Sequence, residues 1–250
     1  MKTKFFILTT LLTGSFSFPA YPEETVNQTD NGKAILEEFR KILSVNNKEY
    51  RAIFQLATFV PNQKPIVKTF TVYSKSNKTL LIFSYPERDL GKKILMINDQ
   101  LWQYFPKIQK TLVINSSMNL SGSVNLTDIV SSSLFNLYNF IKVEHDRNTQ
   151  NYILSFQAIN KNAPYGLVKY YYVKGKILYF EAYARSGILL KKIYFVKYEA
   201  DDHNQIYPVQ IKIVNALLEN DYSLIKMSSV QAIDIPDYYF NPSALENAGE

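Results

Sequence analysis

"GKKILMINDQLWQYFPKIQK", residues 91–110, decides how the rest of the chain is read. Its apolar residues fall in short runs, broken by the turn-forming "NDQ" and closed by Pro106. It therefore reads as two strands, 92–98 and 101–105, with a third running from Lys110 to Asn115. The stretch holds the single tryptophan of the chain. Trp102 and Tyr104 stand at alternate positions of one strand and so face the same way.

The same period of two extends upstream from Tyr50. Tyr50, Ala52, Phe54 and Leu56 share a face, followed by Phe70 and Val72 in "IVKTFTVYSKS" and Leu81 and Phe83 in "KTLLIFSY", with turn chemistry at "VPNQKP" and "KSNK". Downstream, strands are expected over 142–147, 150–159, 167–174, 176–185, 188–198, 206–218 and 222–233, with tight hairpins at Gly175 and "RSG" (185–187). Two stretches change period. Ile35, Leu36, Phe39, Ile42 and Leu43 fall at helical spacing in 32–44, where Asp30 or Asn31 can cap the start. A second helix is expected over 126–140, in a stretch where Ile129, Val130, Leu134, Leu137, Tyr138 and Ile141 recur at helical spacing, with Asn125 or Thr127 as cap. The tail "PDYYFNPSALENAGE" predicts one short final element.

The composition agrees with a β-rich globular chain. Hydrophobic residues make up 46% and aromatics 14%, with 19 Tyr and 16 Phe against 8 Gly, and no composition break divides the 250 residues. Such a chain can offset its ordering entropy, and its prevalent residue types suit a pleated, half-buried surface. A meander of roughly eleven strands should curl, and two amphipathic helices then bury their apolar stripes on its concave side.

The first twenty residues, "MKTKFFILTTLLTGSFSFPA", have a secretory shape: Lys2 and Lys4, an apolar run from Phe5 to Leu12, then small residues. The run is too short to span a bilayer, and cleavage fits after Ser17 or after Ala20. An apolar N-terminal strand is the competing reading. The expected organisation is a signal over 1–20, a polar linker over 21–31 and one domain over 32–250. Removing two lysines and no acids with the signal takes the net charge from +6 to +4. That mild, scattered excess argues against nucleic acid and leaves open an anionic membrane surface or an acidic partner. The chain has no cysteine, which excludes thiol redox chemistry, cysteine zinc sites, disulfides and a lipid-modified N-terminal cysteine.

Catalytic patterns are absent. His145 in "VEHDRN" and His203 in "ADDHNQ" read either as metal ligands or bases beside Asp146 or Asp202, or as exposed turn residues, and the polar turns around them favour the second. There is no G-x-S-x-G elbow and no Gly-rich phosphate loop. Glu37–Glu38 and Asp201–Asp202 are ordinary solvated pairs. A non-enzymatic protein with neither cofactor nor metal is expected. The aromatic excess reads either as the core itself or as the lining of an apolar ligand cavity.

The run "PERDLGKKILMINDQLWQYFPKIQKTLVINSSMNLSGSVNLTDIV" resembles the LolA-like family of outer-membrane lipoprotein-sorting proteins. The matching pieces are Pro86, Glu87, Arg88, Gly91 and Lys92, then W-x-Y-x-P at Trp102, Tyr104 and Pro106. Lys107 and Lys110 follow, with a G-S-x-x-x-x-D-I element at Gly122, Ser123, Asp128 and Ile129. The later "KILYFEAYARSGILLKKIYFVKYE" and "IYPVQIKIVN" are similar to the family's long strands. The resemblance implies a mainly β protein with helices, an incomplete antiparallel barrel of about eleven strands whose concave face takes acyl chains under a helical lid.

On that basis the expected cavity is Phe54, Leu56, Phe70, Val72, Leu81, Phe83, Trp102, Tyr104, Leu134 and Tyr138. Arg88, Gly91, Pro106, Gly122 and Asp128 are lid or motif residues, with Arg88 the candidate latch. The expected partners are lipid acyl chains or lipoproteins, an inner-membrane transporter and an outer-membrane acceptor. The protein would be a periplasmic monomer, exported by its signal. The alternative is a periplasmic sensor of the same fold that binds a protein or lipoprotein partner. Such regulators carry a further C-terminal domain, which this sequence is not expected to have.

Overall fold

A computed structural model describes residues 30–44, 49–98, 100–115, 118–129, 137–161, 163–173, 175–200 and 206–249. The signal and linker expected before Asp30, residues 130–136 of the second helix, and His203 lie outside them. Helix α1 (Asp30–Ser44) occupies the stretch that helical spacing predicts. Six strands follow: β1 (Tyr50–Phe59), β2 (Ile66–Lys75), β3 (Lys78–Tyr85), β4 (Lys93–Ile97), β5 (Gln100–Phe105) and β6 (Lys110–Ile114). After a two-stranded hairpin, β7 (Asn119–Ser121) and β8 (Val124–Asn125), come β9 (Tyr138–Asp146), β10 (Asn151–Ala158), β11 (Leu167–Val173) and β12 (Lys176–Tyr183). The last three are β13 (Leu189–Ala200), β14 (Ile206–Asn215) and β15 (Tyr222–Ala232).

Thirteen of these strands form one antiparallel sheet, in the order β6-β5-β4-β3-β2-β1-β15-β14-β13-β12-β11-β10-β9. Two meanders thus meet at a seam where the first strand pairs with the last, Leu56 opposite Ile225. The strand count corrects the expected eleven. The sheet is open, as expected of an incomplete barrel, with β6 and β9 as its two ends.

The second helix is corrected at its two ends only, since 130–136 lie outside the described residues and Leu137 is helical. Leu126–Asp128 is a single 3-10 turn with Asn125 before it, and Tyr138–Phe140 belongs to strand β9. Tyr138 and Phe140 are two apart and aromatic, which suits a strand as well as a helix, and pairing with β10 decides the matter.

Alternation gives the sheet two unlike faces. On one, Phe54, Phe70 and Phe83 form a row across β1, β2 and β3, with ring centroids 5.8 and 5.2 Å apart, and Leu56, Val72, Leu81, Ile94 and Leu101 pack beside them. Helix α1 lies on this inner face. Phe39 is 0% exposed and its ring sits 5.7 Å from Phe156, 5.1 Å from Tyr170 and 6.2 Å from Tyr172.

The outer face of the first meander is covered by the C-terminal segment. After β15 the chain crosses over β3 and β4, placing Ile235, Phe240, Leu245 and Ala248 against Leu80 and Leu95. Lysines clamp it there. Lys75 Nζ donates to the Ile235 carbonyl at 2.8 Å, Lys93 Nζ to the Glu246 carbonyl, and the Ile235 N–H donates to Glu49 at 3.0 Å. Where one short terminal element was expected, two 3-10 turns, Asp237–Phe240 and Pro242–Asn247, provide the cover.

Candidate functional site

The inner face gathers most of the expected cavity residues. Phe54, Leu56, Phe70, Val72, Leu81 and Phe83 belong to one buried cluster with Ile35 and Phe39 of α1, and Tyr138 joins it from β9. Leu134 lies outside the described residues. Trp102 and Tyr104 are elsewhere. Leu95 pairs with Trp102 and Lys93 with Tyr104, both on the outer face, while Leu101 and Gln103 point inward. The alternation holds with the opposite phase, because the tail packs on the outer face and gives β5 apolar contacts on both sides, with Trp102 and Tyr104 partly buried. Trp102 and Tyr104 instead border an open depression of about 510 Å³, with Lys110, Val113, Pro242 and Glu246 also on its walls.

At the other end of the inner face the cover is polar at its root. Asp128, whose side chain is fully buried, accepts from Lys191 Nζ at 2.8 Å, from the Asn125 N–H at 2.8 Å and from the Tyr165 hydroxyl. Lys191 also donates to the Ser123 carbonyl and lies over the Tyr165 ring. Burial, then the charge of Asp128, hold the Tyr165 phenol well above its usual range. Tyr138 accepts from the Tyr165 N–H at 3.1 Å, and burial pushes its own phenol up to about 12. An ion pair this deep is costly to form but costlier to break on one side, so it fixes where the β7–β8 segment sits. Gly122, at φ +53°, completes the join. A Cβ there would come within 2.6 Å of Thr58 Cγ2.

Of the remaining motif residues, Gly91 (φ +72°) packs beside Pro106, which follows the end of β5. Arg88, expected as the latch, is exposed in the 3-10 turn after β3. The buried charged contact is made by Lys191 instead. The signal for it is present in "LLKKIYF", where one lysine must share the inward side with Ile193. Helical spacing puts Phe39 on an apolar stripe, and spacing alone does not say what a helix covers.

Among the described residues no cluster of three or more His, Asp or Glu could hold a metal. His145 is half-buried in β9, tilted against Tyr152 at 4.8 Å, and is a strand residue where a turn residue was expected. No helix among the described residues is long and apolar enough to cross a membrane.

A family profile described as "uncharacterized protein" matches residues 75–247. The chain belongs to that family. No curated protein matches it by sequence. Its fold is LolA-like. A LolA superfamily protein from Nitrosomonas europaea superposes with a TM-score of 0.73 at 21% identity, over 84% of this chain and 97% of the other. A DUF1329 family protein from Desulfovibrio piger gives 0.72 at 21%, over 87% and 100%. A domain assigned to outer-membrane lipoprotein sorting in Vibrio parahaemolyticus gives 0.69 at 19%, over 86% and 98%. This LolA-like architecture is an open sheet whose aromatic inner face is covered by α1.

Proposed function

We propose that the protein is a periplasmic carrier that receives lipid acyl chains, or the acylated end of a lipoprotein, on the inner face and passes them from the inner to the outer membrane. The observation that carries this reading is the way α1 docks. A short amphipathic helix places Phe39, fully buried, among the rings of β10 and β11, in a cluster of aliphatic and aromatic side chains. Hydrocarbon can satisfy that surface as well as a helix can.

Competition between the two solves the difficulty every carrier faces. Each buried methylene of an acyl chain contributes about 0.8 kcal/mol, so a long chain in a cavity without a competitor would leave too slowly. A helix that re-docks as the chain departs recovers much of that burial and makes release feasible. The donor and acceptor are an inner-membrane transporter and an outer-membrane receptor of acylated protein. The shared fold supports the reading, since the Vibrio parahaemolyticus domain is assigned to lipoprotein sorting.

The test is mass spectrometry of organic extracts from the exported protein purified without detergent, followed by titration of the delipidated protein with a fluorescent fatty acid. A stoichiometric lipid, or saturable uptake displaced by unlabelled palmitate, is the expected result. No extractable lipid together with no uptake would refute the carrier.

A further inference from the structure

The inner face carries its charge unevenly. Lys68 points inward from β2, opposite Leu56 and one inward position before Phe70. Lys92 lies across from Phe83, whose N–H donates to the Lys92 carbonyl at 2.9 Å, and it shares the inward side with Ile94. Both ammonium groups lie over the Phe83 ring, 5.7 and 5.2 Å from its centroid. Lys68 is 8% exposed and paired with Asp89 at 2.8 Å. Lys92 is half-buried and has no ion-pair partner among the described residues. Arg88 is a third cation acting on the same Asp89, so one carboxylate serves three positive charges. Burial holds Lys92 below the usual lysine range, Asp89 offsets this in part, and Lys68 adds to it. A half-buried cation in that state is stabilised by any anion that reaches it.

One inward position along, Ile94 pairs with Gln103, whose buried carboxamide oxygen has no hydrogen-bond partner among the described residues. A row of three phenylalanines therefore runs into two ammonium groups with an unused acceptor nearby. That order of polarity matches an amphiphile: hydrocarbon, then phosphate, then hydroxyl.

We propose that Lys92, with Lys68 behind it, is an anion site at the rim of the inner face, and that it takes the phosphate of an anionic phospholipid whose acyl chains lie along Phe54, Phe70 and Phe83. The assignment rests on the carrier reading above and names its cargo class. The Gln103 oxygen accepts from a headgroup hydroxyl such as that of glycerol. Phosphatidylcholine, whose own quaternary ammonium opposes the two lysines, is disfavoured.

The experiment titrates the exported protein with diheptanoyl phosphatidylglycerol, diheptanoyl phosphatidylcholine and sn-glycerol 3-phosphate, each below any micelle concentration. Phosphatidylglycerol should bind about tenfold more tightly than phosphatidylcholine, the size expected for one charge-assisted contact. Lys92→Gln should abolish that preference, weakening phosphatidylglycerol by about tenfold and phosphatidylcholine by less, and Lys92→Arg should keep it. Asp89→Asn, which removes the competing carboxylate, should enlarge it, and it tests the site independently of how Lys92→Gln folds. Equal affinity for both lipids, unmoved by these variants, overturns the anion site and leaves the carrier standing. Binding of neither lipid overturns the carrier and this site with it. Glycerol phosphate bound as tightly as phosphatidylglycerol, in a Lys92-dependent way, overturns the lipid as the source of the phosphate.

Discussion

Phe39→Ala separates a plug from a core helix. The side chain is 0% exposed and touches three aromatic rings, so truncation should cost about 3–5 kcal/mol. If the sheet holds through its own ladders, that cost falls on the docking of α1. About 4 kcal/mol then raises the undocked fraction by about a thousandfold, since each ~1.4 kcal/mol is a factor of ten. When helix and acyl chain compete for one surface, apparent affinity is the intrinsic affinity scaled by the competent fraction. Fatty-acid binding should therefore tighten by about tenfold to a thousandfold, until the undocked form dominates. Two readouts are needed. Hydrogen exchange should show 30–44 losing protection while β10 and β11 keep theirs, and titration with a fluorescent fatty acid should show the gain. Helix exposure without tighter binding would refute competition. Loss of protection across the sheet would show α1 to be core.

Three further expectations follow from the described contacts. Lys191→Met leaves Asp128 buried without its cation and should cost about 3–5 kcal/mol in urea unfolding, with much of the loss recovered by adding Asp128→Asn. Gly122→Ala should cost about 1–3 kcal/mol from its positive φ and the contact with Thr58, and Thr58→Ser should relieve only the contact part. Acid should release the C-terminal segment. Glu49 is held below its usual range by the Ile235 N–H, then by Lys75, and Asp237 by Lys78 and Lys75. Depressed carboxylates contribute stability above their unfolded pKa and lose it as pH falls through the folded value, so docking should weaken below about pH 4. Trp102, packed beside that segment, should report this as a red-shifted emission, and unchanged emission down to pH 3 would refute the clamp.

Legibility varied with the kind of information each element needed. Strands β1 to β6 could be read directly, because a period of two and turn residues are local. The side that a strand presents to the core is not local. Trp102 and Leu101 are both apolar neighbours on β5, and only the returning tail, over a hundred residues later, settles that Leu101 is the fully buried one and Trp102 a partly covered one. Tyr138 shows the same limit in the choice between helix and strand. The Asp128–Lys191 pair joins positions 63 residues apart, so no spacing rule could propose it, although a lysine on an inward position of β13 was visible. The row of Phe54, Phe70 and Phe83 was recoverable since each residue lies on the apolar side of its own strand.

The seam between β1 and β15 has a consequence in time. Tyr50 pairs with Ala232, and Glu49 receives the N–H of Ile235, a separation of 186 residues. As the chain emerges in order, each meander can form from neighbouring hairpins, yet the pairing that unites them waits for the final strand. Contacts of such range are slow to form, and an unjoined β1 offers a bare edge meanwhile. A polypeptide built this way keeps its two halves of sheet unjoined until β15 has been made, so the covering of both exposed edges is the last step of its folding.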